Sequence, residues 1–287
     1  MKILIAGYGY IGAALGKKLA ASGAEVWGLR RNPGALNLMA LEGVKLIQAD
    51  LLSTPSLDDL PAVDAIIFCQ APSRETDNYM NTYSQATQNL IAAYGSRPPQ
   101  KIIFISSTSV YSTQDGSVVD ETTEPDAALY ASPEARMSAK ALLAAERAVL
   151  SSGIPSVVFR LTGIYGPGRH RLRALREGKM KPSFTDTYTN RIHREDIVSG
   201  IILLLEKGVP GEIYIGVDDA PTTQKEFYSW LCEKLRLKPK ADAPGETRMH
   251  VSNRRFSNAK IKALGLRLKY RTYREGYGEL LIEAGNG

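Results

Sequence analysis

Residues 2–12 have the sequence KILIAGYGYIG, and this stretch decides the fold of the chain. Its apolar half predicts a buried first strand, and AALGKKLA at residues 13–20 predicts the helix that follows. Between them, Gly7, Gly9 and Gly12 fit the spacing G-x-G-x-x-G. Glycines so spaced allow a tight turn, close approach of the backbone to a pyrophosphate, and close packing of helix on strand. The N–H groups and dipole at the start of the helix favour phosphate charge, so the stretch predicts a dinucleotide-binding loop.

The end of the predicted second strand favours one dinucleotide over the other. That strand, EVWGL at residues 25–29, ends in Arg30 and Arg31, where an NAD-binding fold usually places a carboxylate that accepts from the ribose hydroxyls. A guanidinium suits a 2′-phosphate, so we expect NADP(H) to be preferred and NAD(H) to be the weaker ligand, unless one arginine is only a solvated loop charge. Asp50, after the predicted third strand, stands where such folds place an adenine-contacting acid. The predicted cofactor contacts are Gly7, Gly9, Tyr10, Ile11, Gly12, Arg30, Arg31, Asp50 and Leu51.

Strands and helices alternate beyond this loop through the first two-thirds of the chain. Strands are predicted at residues 65–69, 101–106, 156–161 and 212–216, and helices at 83–94, 137–151, 196–207 and 223–235. This alternation predicts an α/β fold, a Rossmann-type doubly wound parallel sheet with a smaller C-terminal substrate-binding subdomain. We expect the dinucleotide-binding domain over residues 1–165 and the smaller part over 166–287, with about 190–216 returning to the main sheet. The polar residues 239–246 predict a linker.

Composition and charge exclude several classes of protein. The 287 residues are 44% hydrophobic, and no apolar run is long enough to span a membrane. Cys69 and Cys232 cannot form a disulfide framework, and the three histidines lack zinc-ligand spacing, so we expect a cytoplasmic protein without a metal. Much of the net charge of +6 lies in residues 169–181, without interleaved aromatic residues or a nucleic-acid motif. A small-molecule substrate is therefore expected as the partner, and neither nucleic acid nor a membrane.

Four segments occur in an order typical of one enzyme family. They are the glycine loop, ISSTSVY at residues 105–111, RLTGIYGPG at 160–168 and RIHRED at 191–196. Together they resemble the extended short-chain dehydrogenase/reductase family, the NAD-dependent epimerases/dehydratases, over nearly the whole chain. The family usually has one more residue between its first two glycines. The shorter spacing in this chain is similar to that of an atypical branch of the family. The resemblance implies an NAD(P) cofactor with oxidoreductase or epimerase chemistry, and it allows a homodimer built on the helix pair that flanks the catalytic segment.

The resemblance implies a catalytic trio that this sequence keeps only in part. In members that transfer hydride, a Ser or Thr after the fifth strand orients the substrate oxygen. A Tyr exchanges a proton with that oxygen, and the Lys of Y-x-x-x-K lowers the Tyr pKa and holds the nicotinamide ribose. Ser107 matches the first position, although its hydroxyl could equally satisfy a backbone group at the strand end. Dehydratase members typically carry an acid at the next position, where this chain has Thr108, so elimination chemistry is disfavoured.

The Y-x-x-x-K motif itself is absent. Counting back from Lys140 gives Arg136 at the Tyr position. Aligning instead on Glu146 gives Ser138 at the Tyr position and Leu142 at the Lys position. Neither alignment restores the pair.

Other tyrosines and arginines near these segments are the remaining candidates. Tyr130 with Lys140 could form a displaced pair, although Pro133 lies between them. Tyr111 and Tyr165 are expected to form a wall of the cleft, and Asn190 or Arg191 could touch the substrate. His193 is expected to be a structural histidine near Asp196. The predicted residues are therefore Ser107, Tyr130 and Lys140 for catalysis, and Tyr111, Tyr165, Arg169 and Arg191 for substrate binding.

Two functions remain open at this point. The first is an NADP-dependent reductase or epimerase-like oxidoreductase for an anionic small molecule, such as a sugar nucleotide or a carbonyl compound. A cofactor loop together with Ser107 and the cationic residues 169–181 favours it. The second is a non-catalytic NADP(H)-binding sensor or regulatory protein, which the missing Tyr and Lys favour.

Overall fold

The structure is a computed structural model. It describes residues 1–31, 43–72, 78–126, 133–238 and 253–283, without the side chain of Glu134. Tyr130 and the linker expected at residues 239–246 lie outside these described residues.

Strands and helices alternate along the described chain. The strands are β1 (Lys2–Ala6), β2 (Glu25–Arg30), β3 (Val44–Gln48), β4 (Ala65–Phe68), β5 (Lys101–Ser107), β6 (Val118–Val119), β7 (Ser156–Leu161), β8 (Gly163–Tyr165), β9 (Tyr188–Thr189), β10 (Arg191–His193), β11 (Ile213–Gly216), β12 (Thr222–Thr223) and β13 (Arg255–Phe256). The helices are α1 (Tyr10–Ala21), α2 (Ala86–Ala93), α3 (Pro133–Leu150), α4 (Leu172–Arg176), α5 (Arg194–Lys207), α6 (Gln224–Lys234), α7 (Ala259–Leu264) and α8 (Tyr273–Glu283). A π-helical segment, Met80–Gln85, leads directly into α2, and a 3-10 turn, Thr108–Val110, follows β5.

Seven parallel strands form the central sheet, in the order β11-β7-β5-β4-β1-β2-β3. Successive side chains of a strand point to opposite faces, so both faces of β1 are apolar. Ile3 packs with Leu15 of α1 and Ile201 of α5 on one face. Leu4 packs with Leu90 of α2 on the other face, together with residues of α3. The Rossmann-type α/β fold predicted from the sequence is confirmed.

The strand order reverses between β1 and β4. Connections that leave these two strands run to opposite sides of the sheet, which leaves a crevice at their carboxyl ends. The glycine loop lies at this position, directly after β1. The fold therefore opens a cleft where the sequence predicts a dinucleotide.

The chain after residue 166 contributes to the sheet and also forms an apolar cluster of its own. β11 pairs with β7 at one edge of the sheet. A second group of buried residues comes mainly from α4, α6 and α8 and contains Phe227, Tyr273 and Tyr277. The boundary between the two parts at residue 165 stays a prediction. The later part joins the main sheet through β11. In the described ranges, no helix is long and apolar enough to cross a membrane.

Candidate functional site

A cleft of about 1000 Å³ crosses the carboxyl ends of the central strands. It begins at Asp50 after β3 and Arg31 after β2, passes the glycine loop, and reaches Ser107 at the end of β5. At the end of β7 it is lined by residues 161–164, and then by side chains of the C-terminal part, Arg169 and Arg254 among them. One continuous space therefore joins the predicted cofactor loop to a region bordered by arginines.

Two glycines of the loop are required by the fold itself. Gly7 has a φ of +93°, and a Cβ at this position would lie 2.5 Å from the backbone nitrogen of Gln70. A Cβ at Gly12 would lie 2.6 Å from the carbonyl oxygen of Gly7. Any side chain at either position would push α1 or the loop away from the strands, so these glycines allow the tight turn and the close helix packing.

Gly9 differs from its two neighbours because no protein atom restricts it. A Cβ there would have no neighbour closer than the Gly7 carbonyl oxygen, at 4.0 Å. Gly9 lines the cleft and precedes α1, whose first turn has neither a capping side chain nor an acidic residue. The first N–H groups of a helix lack partners within the helix, and they attract phosphate oxygens. The loop therefore fits a pyrophosphate, which would approach the backbone at Gly9.

Arg30 and Arg31 play different parts at the adenosine end of the cleft. Arg30 donates from Nη1 to the carbonyl oxygen of Tyr8 at 3.1 Å, so its guanidinium braces the glycine loop. Arg31 is exposed and lines the cleft. Asp50 also lines it, and its carboxylate accepts from the backbone N–H of Leu52 at 3.0 Å. Of the two arginines, Arg31 is the better placed to meet a 2′-phosphate.

Ser107 combines a structural contact with an open position in the cleft. Its Oγ accepts from the backbone N–H of Ser109 at 3.1 Å, which caps the 3-10 turn after β5. The hydroxyl proton stays available to a ligand oxygen. Thr108, where an acid would support elimination, donates instead to the carbonyl oxygen of Leu161 at 3.2 Å. Asp50, at the other end, is the sole carboxylate among the described lining residues.

A buried ion pair fixes how α3 faces the sheet. Glu146 of α3 accepts from Arg160 of β7, with Nη2 to Oε2 at 2.6 Å and Nε to Oε1 at 3.0 Å. Ser106 donates to the same carboxylate at 2.5 Å. One turn before Glu146, Leu142 lines the cleft with 2% of its surface exposed. The apolar side chain of Leu142 thus occupies a position beside the cleft on the face of α3 that Glu146 defines.

These features agree with the comparison to known proteins. The model of the NAD dependent epimerase/dehydratase family matches residues 3–216. The chain belongs to this family. Protein YeeZ of Escherichia coli K12 is 29% identical over 247 residues, which cover 83% of this chain and 85% of YeeZ.

Solved structures of similar proteins extend over almost the entire chain. A Methylobacillus flagellatus protein, provisionally named an NAD-dependent epimerase/dehydratase, has 31% identity and a TM-score of 0.80, covering 99% of this chain and 98% of that one. DesIV of Streptomyces venezuelae, a dTDP-glucose 4,6-dehydratase with NAD bound, has 21% identity and a TM-score of 0.80, covering 98% and 96%. DesIV shares the fold of this epimerase/dehydratase family member.

Lys140 does not reach the cleft of this family member. Two positions along a helix correspond to a rotation of about 200°, so Lys140 points away from the side that carries Leu142. Lys140 is exposed and is not among the residues that line the cleft. The geometry gives no support to its predicted catalytic role, and Tyr130, its suggested partner, is outside the described ranges.

Three residues predicted to bind substrate are buried away from the cleft lining. Tyr111 is fully buried, and its hydroxyl accepts from Nη1 of Arg160 at 2.7 Å. Tyr165 stacks on Tyr277 with ring centroids 4.9 Å apart. Arg191 places its guanidinium 3.4 Å from the ring centroid of Phe227. Each of the three completes a packed cluster instead of facing the cleft, so their predicted substrate contacts find no support in this geometry.

The cationic residues 169–181 mostly serve local contacts. Arg169 lines the cleft, with its guanidinium 5.6 Å from the ring centroid of Tyr10. Arg171 donates to the hydroxyl of Tyr228 at 2.6 Å. Glu177 pairs with two neighbouring cations, Arg173 and Lys179. Arg169 is therefore the member of this segment that borders the cleft.

Arg254 and Asn190 complete the far end of the cleft. Arg254 is 6% exposed and donates from Nη1 to the carbonyl oxygen of Thr113 at 2.8 Å. Asn190 donates to the carbonyl oxygen of Arg254 at 2.9 Å and accepts from the N–H of Phe256 at 3.0 Å. Of the pair Asn190 and Arg191, Asn190 is the one that lines the cleft. No sequence pattern singled out Arg254.

His193 is structural, as the sequence favoured. Its Nδ1 accepts from the backbone N–H of Glu195 at 3.2 Å and so caps the start of α5. Burial lowers the pKa of His193 to about 4, so the ring is neutral near pH 7. The adjacent Asp196 accepts from the backbone N–H groups of Lys269 and Tyr270. These contacts bind the C-terminal segment to α5.

Proposed function

We propose that this protein is an NADP(H)-preferring oxidoreductase or epimerase of the epimerase/dehydratase family, acting in the cytoplasm on an anionic small molecule. The substrate class is a sugar nucleotide or a carbonyl compound that carries phosphate or carboxylate. The observation that supports this most is the single cleft that joins Arg31, the glycine loop, Ser107 and two arginines, Arg169 and Arg254. Cys69 and Cys232 are free thiols, in keeping with a reducing compartment.

Each part of the cleft has a chemical role in this proposal. The nicotinamide group, when bound, supplies or accepts hydride. Gly9 leaves room for the pyrophosphate, and Arg31 holds the 2′-phosphate by charge-assisted hydrogen bonds. Ser107 donates a hydrogen bond from its hydroxyl to the substrate oxygen and so orients the reacting carbon. Arg169 and Arg254, on the part of the chain after residue 166, hold the anionic group of the substrate.

The cofactor preference is tested by calorimetric titration of NADP⁺ and NAD⁺ into wild-type protein and Arg31→Ala. Wild type should bind NADP⁺ more tightly than NAD⁺. Arg31→Ala removes a charged hydrogen-bonding partner of the 2′-phosphate, so the affinity for NADP⁺ should fall about tenfold or more. NAD⁺ has no 2′-phosphate, so its affinity should not change. Arg267→Ala, which removes an exposed arginine outside the cleft, should alter neither affinity; tighter binding of NAD⁺ by the wild type would refute the proposed preference.

Leu142 favours a second candidate, a non-catalytic NADP(H) sensor. Its side chain lines the cleft at the position that the alignment on Glu146 gives to the family's lysine, and it can neither bind a ribose hydroxyl nor lower the pKa of a phenol. Following reduced-nicotinamide absorbance with a panel of sugar nucleotides and carbonyl compounds separates the two functions. Turnover supports the enzyme. No turnover, with unequal affinities for NADP⁺ and NADPH and a redox-dependent change in association, supports the sensor.

A further inference from the structure

Tyr83 lies in an unusual helical segment beside the cleft. Residues Met80–Gln85 form a π-helix, a rare geometry that is frequent at functional sites. Gln70, two residues after β4, donates from Nε2 to the carbonyl oxygen of Thr82 at 3.1 Å and to Oγ1 of Thr87 at 2.9 Å. One side chain thus attaches both the π segment and the start of α2 to the end of β4. This attachment holds Tyr83 against the cleft, which it lines.

Three tyrosines of the described chain line the cleft, and they differ in what their hydroxyl groups can reach. Tyr8 is 3% exposed, and its ring fills the space beside Gly16 and Gly28. The Tyr10 hydroxyl is buried against Gly166. Tyr83 lines the cleft half-buried, which raises the pKa of its phenol, and no hydrogen bond joins its hydroxyl to another described residue. Of the three phenols, that of Tyr83 is the one placed to meet a ligand.

The position of Tyr83 selects one half of a bound dinucleotide. The glycine loop follows β1, Arg31 follows β2 and Asp50 comes after β3. The adenosine half therefore extends toward β3. The nicotinamide half must then extend over β4 and β5. Tyr83 is attached to the end of β4 through Gln70 and packs against two apolar clusters, the one on the α2 and α3 side of the sheet and the one that contains Leu142. It therefore lies on the nicotinamide side, next to the residue that replaces the lysine.

We propose that the Tyr83 hydroxyl hydrogen-bonds the ribose on the nicotinamide side of bound NADP(H) and so supplies a polar contact that Leu142 cannot make. This inference rests on the proposed function, because it requires a dinucleotide in the cleft. It assigns Tyr83 to cofactor binding, and it explains how a chain without the family lysine still fixes the reactive half of its cofactor.

Two ligands that differ in the nicotinamide half test the proposal. Calorimetric affinities are measured for NADP⁺ and for adenosine 2′,5′-bisphosphate, which lacks the nicotinamide riboside, with wild type, Tyr83→Phe and Tyr79→Phe. Tyr83→Phe keeps the ring and removes one hydrogen bond, so NADP⁺ should bind roughly five- to tenfold more weakly while the bisphosphate is unaffected. Tyr79, which directly precedes the π segment, does not line the cleft, so Tyr79→Phe should change neither affinity.

The outcomes separate this inference from the proposed function. If wild type and Tyr83→Phe bind NADP⁺ with the same affinity, the role of Tyr83 is overturned and the cofactor assignment stands. An equal loss for both ligands in Tyr83→Phe also overturns it, because the change then acts on the whole cleft. Wild type that binds neither NADP⁺ nor NAD⁺ refutes the proposed function, and the inference with it. Thermal melting of each variant without ligand verifies that the fold is kept.

Discussion

Gly7 and Gly9 belong to one motif, but different requirements fix them. The positive φ of Gly7 and its contact with Gln70 are properties of the folded chain alone. Gly9 has a negative φ and no close neighbour, so the protein would accept a methyl group there. The residue that the fold does not need is the one that faces the expected pyrophosphate. In this motif the fold requires Gly7 and Gly12, whereas only a bound ligand would require Gly9.

We predict that Gly9→Ala and Gly7→Ala separate folding from binding. Gly9→Ala should change the free energy of unfolding by less than about 0.5 kcal/mol, yet weaken dinucleotide binding tenfold or more because the methyl group excludes the pyrophosphate. Gly7→Ala should lower the free energy of unfolding by about 1–3 kcal/mol or more, since it forces a left-handed backbone and a steric clash. Urea unfolding without ligand and calorimetric titration measure the two effects. Unchanged affinity in Gly9→Ala would contradict the ligand role of Gly9.

How far the sequence predicts the site depends on how local each requirement is. The glycine loop is predictable because its turn and its helix start lie within one short segment. Arg254 and Tyr83 are not, because the cleft joins them from segments far apart in the chain. The sequence leaves Asn190 and Arg191 as alternative substrate contacts. Packing between distant segments decides between them, because Phe227 covers the guanidinium of Arg191 and Asn190 lines the cleft. A residue whose position depends on packing between distant elements leaves no local pattern.

The element scale explains why helix α3 could be placed from the sequence but the residues it brings to the cleft could not. Glu146 pairs with Arg160, and this buried contact determines which face of α3 meets the sheet. Leu142 lies one turn before Glu146 and lines the cleft. It is the residue that the alignment on Glu146 puts at the lysine position of the family motif. The segment before α2 was predicted as a regular helix over 83–94, and it begins instead with the π turn that carries Tyr83. A periodicity of 3.6 residues does not encode such a turn, in which the carbonyl oxygen of Thr82 accepts a hydrogen bond from the distant side chain of Gln70.

We predict an unusual pH dependence from Asp218, which follows β11. Burial raises the pKa of its carboxyl from 3.8 to about 8, so the native state keeps a proton that the unfolded state releases between these values. Asp218 therefore contributes stability that is present at low pH and lost as pH rises toward 8. Asp218→Asn should remove this loss. The free energy of unfolding of the variant minus that of wild type should rise from about pH 4 to pH 8, by at most about 1.4 kcal/mol per pH unit, and then level off.

Asp219→Asn is the matched control for this pH prediction. Burial acts to raise the pKa of Asp219, but hydrogen bonds from Asn258, Lys262 and Arg271 outweigh it and hold the pKa below its ordinary value. Its contribution therefore has the opposite sign, and Asp219→Asn should be more destabilising at neutral pH than at acid pH. Urea unfolding at a series of pH values measures both variants. Parallel curves for wild type and Asp218→Asn would show that the carboxyl of Asp218 titrates normally.

At the scale of the whole molecule, the cleft depends on both parts of the chain. The sheet and its glycine loop supply the cofactor end, while Arg169, Asn190 and Arg254 come from residues after 166. β11 joins the later part to the edge of the sheet beside β7, so the two ends of the cleft share one framework. In the proposed function, a substrate held by Arg169 and Arg254 would be set in register with Ser107 at the end of β5.

We predict that the protein is a homodimer through the face formed by the π segment and α3. Met80 and Met137 are 43% and 51% exposed on these two helical elements, which pack against each other. Large exposed apolar side chains on adjoining helices favour association, and a two-fold axis would bury the same face of both subunits. The double variant Met80→Lys with Met137→Lys should raise the dimer dissociation constant at least tenfold, because it would bring like charges into the interface. Sedimentation over a range of concentrations measures the constant.

Val209→Lys provides the control for this prediction. Val209 is also 51% exposed, but it follows α5, on the face of the sheet opposite α3. A dimer through the π segment and α3 should keep its dissociation constant in Val209→Lys and lose affinity only in the methionine variants. A wild-type monomer at all concentrations, or a dimer that the double lysine variant leaves intact, would rule out this face as the interface.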